Sequence, residues 1–257
     1  MTGSVWFIYD HYVYALLALV GTGVAVAAVQ WALQGSRWAA WARSLHGVVP
    51  PFINIIGVLF GLTLAFLAND TWSAHDRATG AVFREADALR SLVTLSGPMA
   101  EPMRGQVRGA INSYGQASVA EWSQLAKRHA NPEVSGRADA LLTLLASPAL
   151  AAQTGDNVQA LMLRKASDIG NERDQRISLA QTHVNPLKWL GMAFLGLVTL
   201  LSVAVVHVEN PRAALVSMVL FALAAAPTAA IVLVQGNPFQ EPAAVSPAPI
   251  SEAISGL

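Results

Sequence analysis

Apolar residues run without a charge over four windows: 12–33, 47–68, 189–206 and 213–235. A helix that crosses the ~30 Å hydrocarbon layer needs about 20 apolar residues at ~1.5 Å rise each. Each window meets or nearly meets that length, so each predicts a spanning helix. The first lacks a basic segment before it and is long for a signal peptide, so it reads as a retained span. Between the second and third windows the pattern changes to apolar positions at helical spacing among charged ones. Val82, Ala86, Leu89 and Val93 predict a helix over 71–95 that continues from the second span. Val107, Ile111, Tyr114, Val119, Trp122 and Leu125 predict a second helix, residues 138–146 a third, and Val158, Leu161, Met162, Ile169 and Ile177 a fourth. Asn131-Pro132, Ser147-Pro148 and Asn185-Pro186 mark the breaks. No run has the period of a strand.

The predicted fold is all-α: a polytopic membrane protein with four transmembrane helices and an extramembrane helical bundle inserted between spans 2 and 3. Residues 1–68 hold spans 1 and 2, 69–188 the extramembrane helical domain, 189–236 spans 3 and 4, and 237–257 a Pro-rich tail. Pro238, Pro242, Pro247 and Pro249 argue against a helix over 237–249, and Phe239, Val245 and Ile250 offer apolar anchors for docking.

Charge follows the same division. Of 16 Lys/Arg and 16 Asp/Glu in 257 residues, 13 and 12 fall within 69–188. Mean hydropathy is +0.44. The balance excludes a polybasic nucleic-acid binder, and the absence of cysteine excludes disulfides, thiolate metal sites and a cysteine nucleophile. Tyr12, Tyr14, Trp31, Trp38, Trp41, Trp72 and Trp189 stand near span ends, as an interfacial belt requires. An even number of spans puts both termini and the large domain on one side. Arg37, Arg43 and Arg212 in the two short links favour those links inside and the domain outside, whereas Arg77, Arg84, Arg173, Arg176 and Lys188 pull the other way. The expectation is a multi-pass protein of a bacterial plasma membrane with its termini and large domain extracytoplasmic.

Recognisable catalytic chemistry is missing. The six histidines lack metal spacing, and Gly21-Thr22-Gly23 lies inside a spanning window without a preceding strand. Glu85 and Asp87, two apart, cannot face each other on a helix. No enzyme, cofactor or metal is expected.

The second span carries two faces. Gly57, Gly61 and Ala65 form a small-residue face suited to close helix packing. Asn54, Val58, Leu62 and Phe66 recur every four residues and lead to Asn69 and Asp70. Spacing alone favours ordinary packing of both faces inside one subunit. Asp70 could pair with Arg77 or with a neighbour.

Phe60-Gly61-Leu62-Thr63-Leu64-Ala65-Phe66, followed by Trp72, Ala78 and Glu85-Ala86-Asp87-Ala88-Leu89, resembles the bacterial and plant family of bestrophin-like membrane proteins. So does the tail, Asn237-Pro238-Phe239 with Val245-Ser246-Pro247-Ala248-Pro249. Residues 62–66 are more distantly similar to the pore helix of bestrophins. The resemblance implies a pentameric ion channel whose second span lines the pore, with a hydrophobic neck at Val58, Leu62 and Phe66. Asn54, Asn69 and Asp70 would then stand at the mouths and govern selectivity, while Gly57, Gly61 and Ala65 pack helices together. The implied partners are the lipid bilayer, further copies of the chain and small permeant ions, with no nucleic acid. The alternative is a membrane-anchored scaffold whose bundle binds a partner and whose spans form no pore.

Overall fold

Short polar residues followed by proline set where several helices begin. In the computed structural model, which describes residues 10–35, 37, 39–45, 50–182 and 185–257, Asn131, Ser147, Asn185 and Asn210 each precede a proline and accept a backbone N–H from the first turn. Proline fits that turn because its missing N–H would have no partner there. The Asn-Pro and Ser-Pro pairs read as breaks are therefore helix starts.

The described residues form eleven helices: α1 (Asp10–Gly35), α2 (Ala39–Ser44), α3 (Pro50–Ser96), α4 (Met103–Ala120), α5 (Trp122–Leu125), α6 (Pro132–Leu145), α7 (Pro148–Thr154), α8 (Asp156–Gln181), α9 (Pro186–Val206), α10 (Pro211–Val234) and α11 (Ala248–Ile254). Four segments are long and apolar enough to cross a membrane: Tyr12–Gln34, Phe52–Ser96, Pro186–Val206 and Pro211–Val234. Residues 47–49 of the second expected span, Trp38 of the aromatic belt, and His46 and His183 lie outside the described residues. α3 runs through 69–73 without a break. The helix expected at 138–146 begins earlier, at Pro132, and α7 was not foreseen. The tail is helical from Ala248, sooner than its prolines suggested, because Pro249 falls in the first turn of α11.

The chain divides into two compact units, Met1–Trp72 with His183–Gly236, and Ser73–Thr182 with Asn237–Leu257. In the first, α1 lies mainly along α10, and α9 packs on both. Val26 and Val29 of α1 meet Leu200 and Ala204 of α9 and Met218 of α10. α3 joins through Phe60 and Leu67, which pack with Met192 and Ala229. The Phe60 and Phe221 rings lie 5.4 Å apart, and a Cβ at Gly196 would come within 3.2 Å of Phe60. Hydroxyls inside these helices bond backward by one turn, as Thr63 does to Leu59 O and Ser202 to Val198 O. Such local bonds satisfy these hydroxyls without a partner from another helix.

The second unit has a different surface. Its core joins Val82, Ala86 and Leu89 of α3, Val107 and Ile111 of α4, Leu141 and Leu145 of α6, and Met162 and Ile169 of α8. The tail completes it. Asn237 donates to Leu125 O and Ala126 O, Trp122 Nε1 donates to Val245 O, and Phe239 meets the Trp122 ring edge-on. Ile250 is fully buried, and Ile254 closes over Gly115 so tightly that a Cβ there would lie 2.7 Å from its Cγ2.

Candidate functional site

A helix with period 3.6 places residues two apart about 160° from each other, so α3 can bury one face and present the opposite one. Phe60, Leu64 and Leu67 are the face turned to α9 and α10. Across from it, Val58, Leu62 and Phe66 are 60%, 50% and 69% exposed. They do not enter the core of their own chain. Asn54, one step of four earlier, and Asp70, one step later, are exposed as well. The result is a continuous line with an amide at one end, three large apolar side chains in its middle and a carboxylate at the other end.

The small-residue face is also without a partner in the chain. Gly57 is half-buried, Gly61 and Ala65 are exposed, and a Cβ at either glycine would meet nothing within 4 Å. Packing within one chain does not require glycine at these positions.

At the carboxylate end, Asn69 is exposed and Asp70 is paired. Lys188 Nζ, near the start of α9, donates to Asp70 Oδ2 at 2.6 Å. Arg77, the partner considered from sequence, donates its Nε to Ser73 O instead. Close by along α3, Trp72 Nε1 donates to Gln235 Oε1 at 3.1 Å. Lys188 was not among the expected site residues: it is 118 positions from Asp70.

The second unit holds a group that the sequence does not announce. Glu85 of α3 is fully buried and accepts from Arg176 Nε at 2.7 Å, from Arg176 Nη2 at 3.0 Å, from Tyr114 Oη at 2.8 Å and from Ser118 Oγ at 2.9 Å. The Arg176 guanidinium also stands 4.7 Å from the centroid of the Trp122 ring, an arrangement favourable for a cation over an aromatic face. Glu121, equally buried, receives Arg173 Nη2 at 2.7 Å and the Asn131 backbone N–H at 2.8 Å. Burial pushes the Tyr114 hydroxyl well above its ordinary value of 10.0, and the Glu85 charge pushes it the same way. Every carboxylate oxygen in the two pairs has a donor, as buried charges require. The arrangement ties α3, α4, the start of α6 and α8 together. Among the described residues no three His, Asp or Glu side chains are grouped to hold a metal ion.

Comparison with known proteins agrees with this architecture. A Bestrophin-like domain matches residues 20–250. No curated protein matches. Among solved structures, a Klebsiella pneumoniae bacterial bestrophin homologue with a tryptophan-to-alanine mutation superposes with a TM-score of 0.66 at 15% identity, covering 100% of this chain and 97% of that one. The same homologue with a leucine-to-threonine mutation gives 0.61 at 15% identity over 96% and 97%. A structure described as a membrane protein with a leucine-to-alanine mutation gives 0.62 at 14% identity over 94% and 97%. At such identities the likeness is one of fold.

Proposed function

The chain belongs to the Bestrophin-like family, and from that membership we propose that it forms an oligomeric ion channel with a hydrophobic neck on α3. One observation carries the reading. The Val58, Leu62 and Phe66 face is exposed along the same stretch of helix whose opposite face is packed. Copies of the chain around an axis would turn that line inward. Residues four apart drift by ~40° per step, which a tilted helix accommodates. The neck of apolar side chains narrows the water column until it dries, and a dry constriction blocks ions of either sign. A small rotation of α3 rewets it.

Asn54 stands at one mouth, and Asn69 and Asp70 at the other. Gly57, Gly61 and Ala65 lie ~100° around the helix from the neck, where they receive a neighbouring subunit at close range. The assembly is a pentamer by likeness to bestrophins. Residues 69–188 are the extramembrane bundle inserted between spans 2 and 3, and the basic short links favour its lying outside the cell. The permeant species are small ions.

The test is flux through liposomes carrying the purified full chain. Leu62→Ala and Phe66→Ala should raise flux above the wild type, and Leu62→Asn should hold the neck wet and do the same. Flux that stays at background in the wild type and in all three variants would sink the channel reading and leave the scaffold.

A further inference from the structure

We propose that Lys188 and Asp70 together set the charge selectivity of one mouth of the pore; the inference rests on the channel reading and adds the residue that governs ion sign. Asp70 continues the Asn54, Val58, Leu62 and Phe66 line by one more step of four, so each subunit of a ring brings one carboxylate to that end. A ring of unpaired carboxylates concentrates cations and repels anions. Here each carboxylate is met by a cation, with Lys188 Nζ 2.6 Å from Asp70 Oδ2. Both side chains are 57% exposed, so a passing ion meets both charges through water.

Stability does not account for the lysine. An exposed pair of this kind contributes little to folding. Lys188 also follows Pro186 and Leu187 in the first turn of α9, where the helix dipole disfavours a positive charge. The positive end of α9 instead adds to the ammonium, and the two together offset Asp70. The consequence is a mouth of nearly balanced sign, which attracts neither cations nor anions strongly. The acid at this mouth therefore does not by itself make a cation-attracting ring.

The experiment is the reversal potential of the purified full chain in planar bilayers under a potassium chloride gradient. Lys188→Gln should raise the ratio of potassium to chloride permeability about threefold or more, because an unscreened charge within several ångströms of the path has that effect in water. Asp70→Asn should lower the ratio by a similar factor. The double variant should return close to the wild-type ratio. Both residues are exposed, so size-exclusion profiles should match the wild type. If the wild type conducts and the single variants leave the ratio unchanged, the inference fails while the channel reading stands, since the neck variants act on current size and not on reversal potential. Current absent from the wild type and from the neck variants alike overturns both.

Discussion

Glu85 is the residue whose loss the second unit should tolerate least. It receives four hydrogen bonds, from Arg176, Tyr114 and Ser118, with no exposed surface. Glu85→Ala strands the Arg176 guanidinium away from water, and removal of one partner of a buried pair costs about 3–5 kcal/mol. Thermal unfolding should therefore show a large drop for Glu85→Ala. Replacing both members, with Glu85→Leu and Arg176→Met, should recover much of it, because a buried pair exchanged for apolar residues of similar volume is often neutral. A single variant that melts with the wild type would show the pair to be dispensable. This group was not legible along the chain. Glu85 and Arg176 are 91 positions apart, and inspecting Glu85 beside Asp87 tests only neighbours on one helix. An acid at a helical position flanked by buried Val82, Ala86 and Leu89 was the available signal, since a charge within an apolar face implies a partner from elsewhere.

At the scale of elements, periodicity was the readable quantity. The i+4 recurrence of Val58, Leu62 and Phe66 defines one side of α3 whatever surrounds it. Which side is packed depends on α9 and α10, and only the structure assigns that to Phe60, Leu64 and Leu67. The uninterrupted run of α3 through 69–73 was readable for a similar reason: no proline or glycine occurs there. The tail was harder. Its prolines suggested an irregular strap, yet α11 starts at Ala248 and sets Ile254 against Gly115 of α4. That contact leaves no room for a methyl group, so Gly115 is fixed by close approach and not by backbone conformation. Gly115→Ala should lower stability by about 1–3 kcal/mol, the usual cost of overpacking, and residues 240–257 should become more sensitive to protease. Adding Ile254→Ala should restore part of the loss, because the two sites touch and their effects do not add. If the double variant is no better than Gly115→Ala, the strain lies elsewhere.

For the whole molecule, the two units differ in what they leave uncovered. Large exposed apolar side chains in the second unit are few, with Phe83, Leu142 and Leu161 among them, whereas the first exposes residues such as Leu16, Val20, Val24, Phe52, Val58, Leu62, Phe66, Phe194, Leu220 and Leu223. Soluble monomers rarely present so large an apolar surface, and lipid or further copies of the chain are the covers that suit it. The two coverings are distinguishable on α3 and α10. Leu220 and Leu223 are 62% and 65% exposed in the middle of α10, where residues 213–230 hold no charge, as expected for a side facing lipid. Val58, Leu62 and Phe66 lie between Asn54 and Asp70, whose polar groups call for water at both ends. Because the chain has no cysteine, single cysteines report cleanly. Around a shared axis, Leu62→Cys side chains from different subunits come within disulfide reach, whereas Leu220→Cys side chains point away from one another. Mild oxidation in liposomes should convert Leu62→Cys largely to covalent dimers and leave Leu220→Cys monomeric. Equal cross-linking at the two positions, or none at Leu62→Cys, would mean that α3 does not surround an axis, and the exposed line would then be only a side turned to lipid.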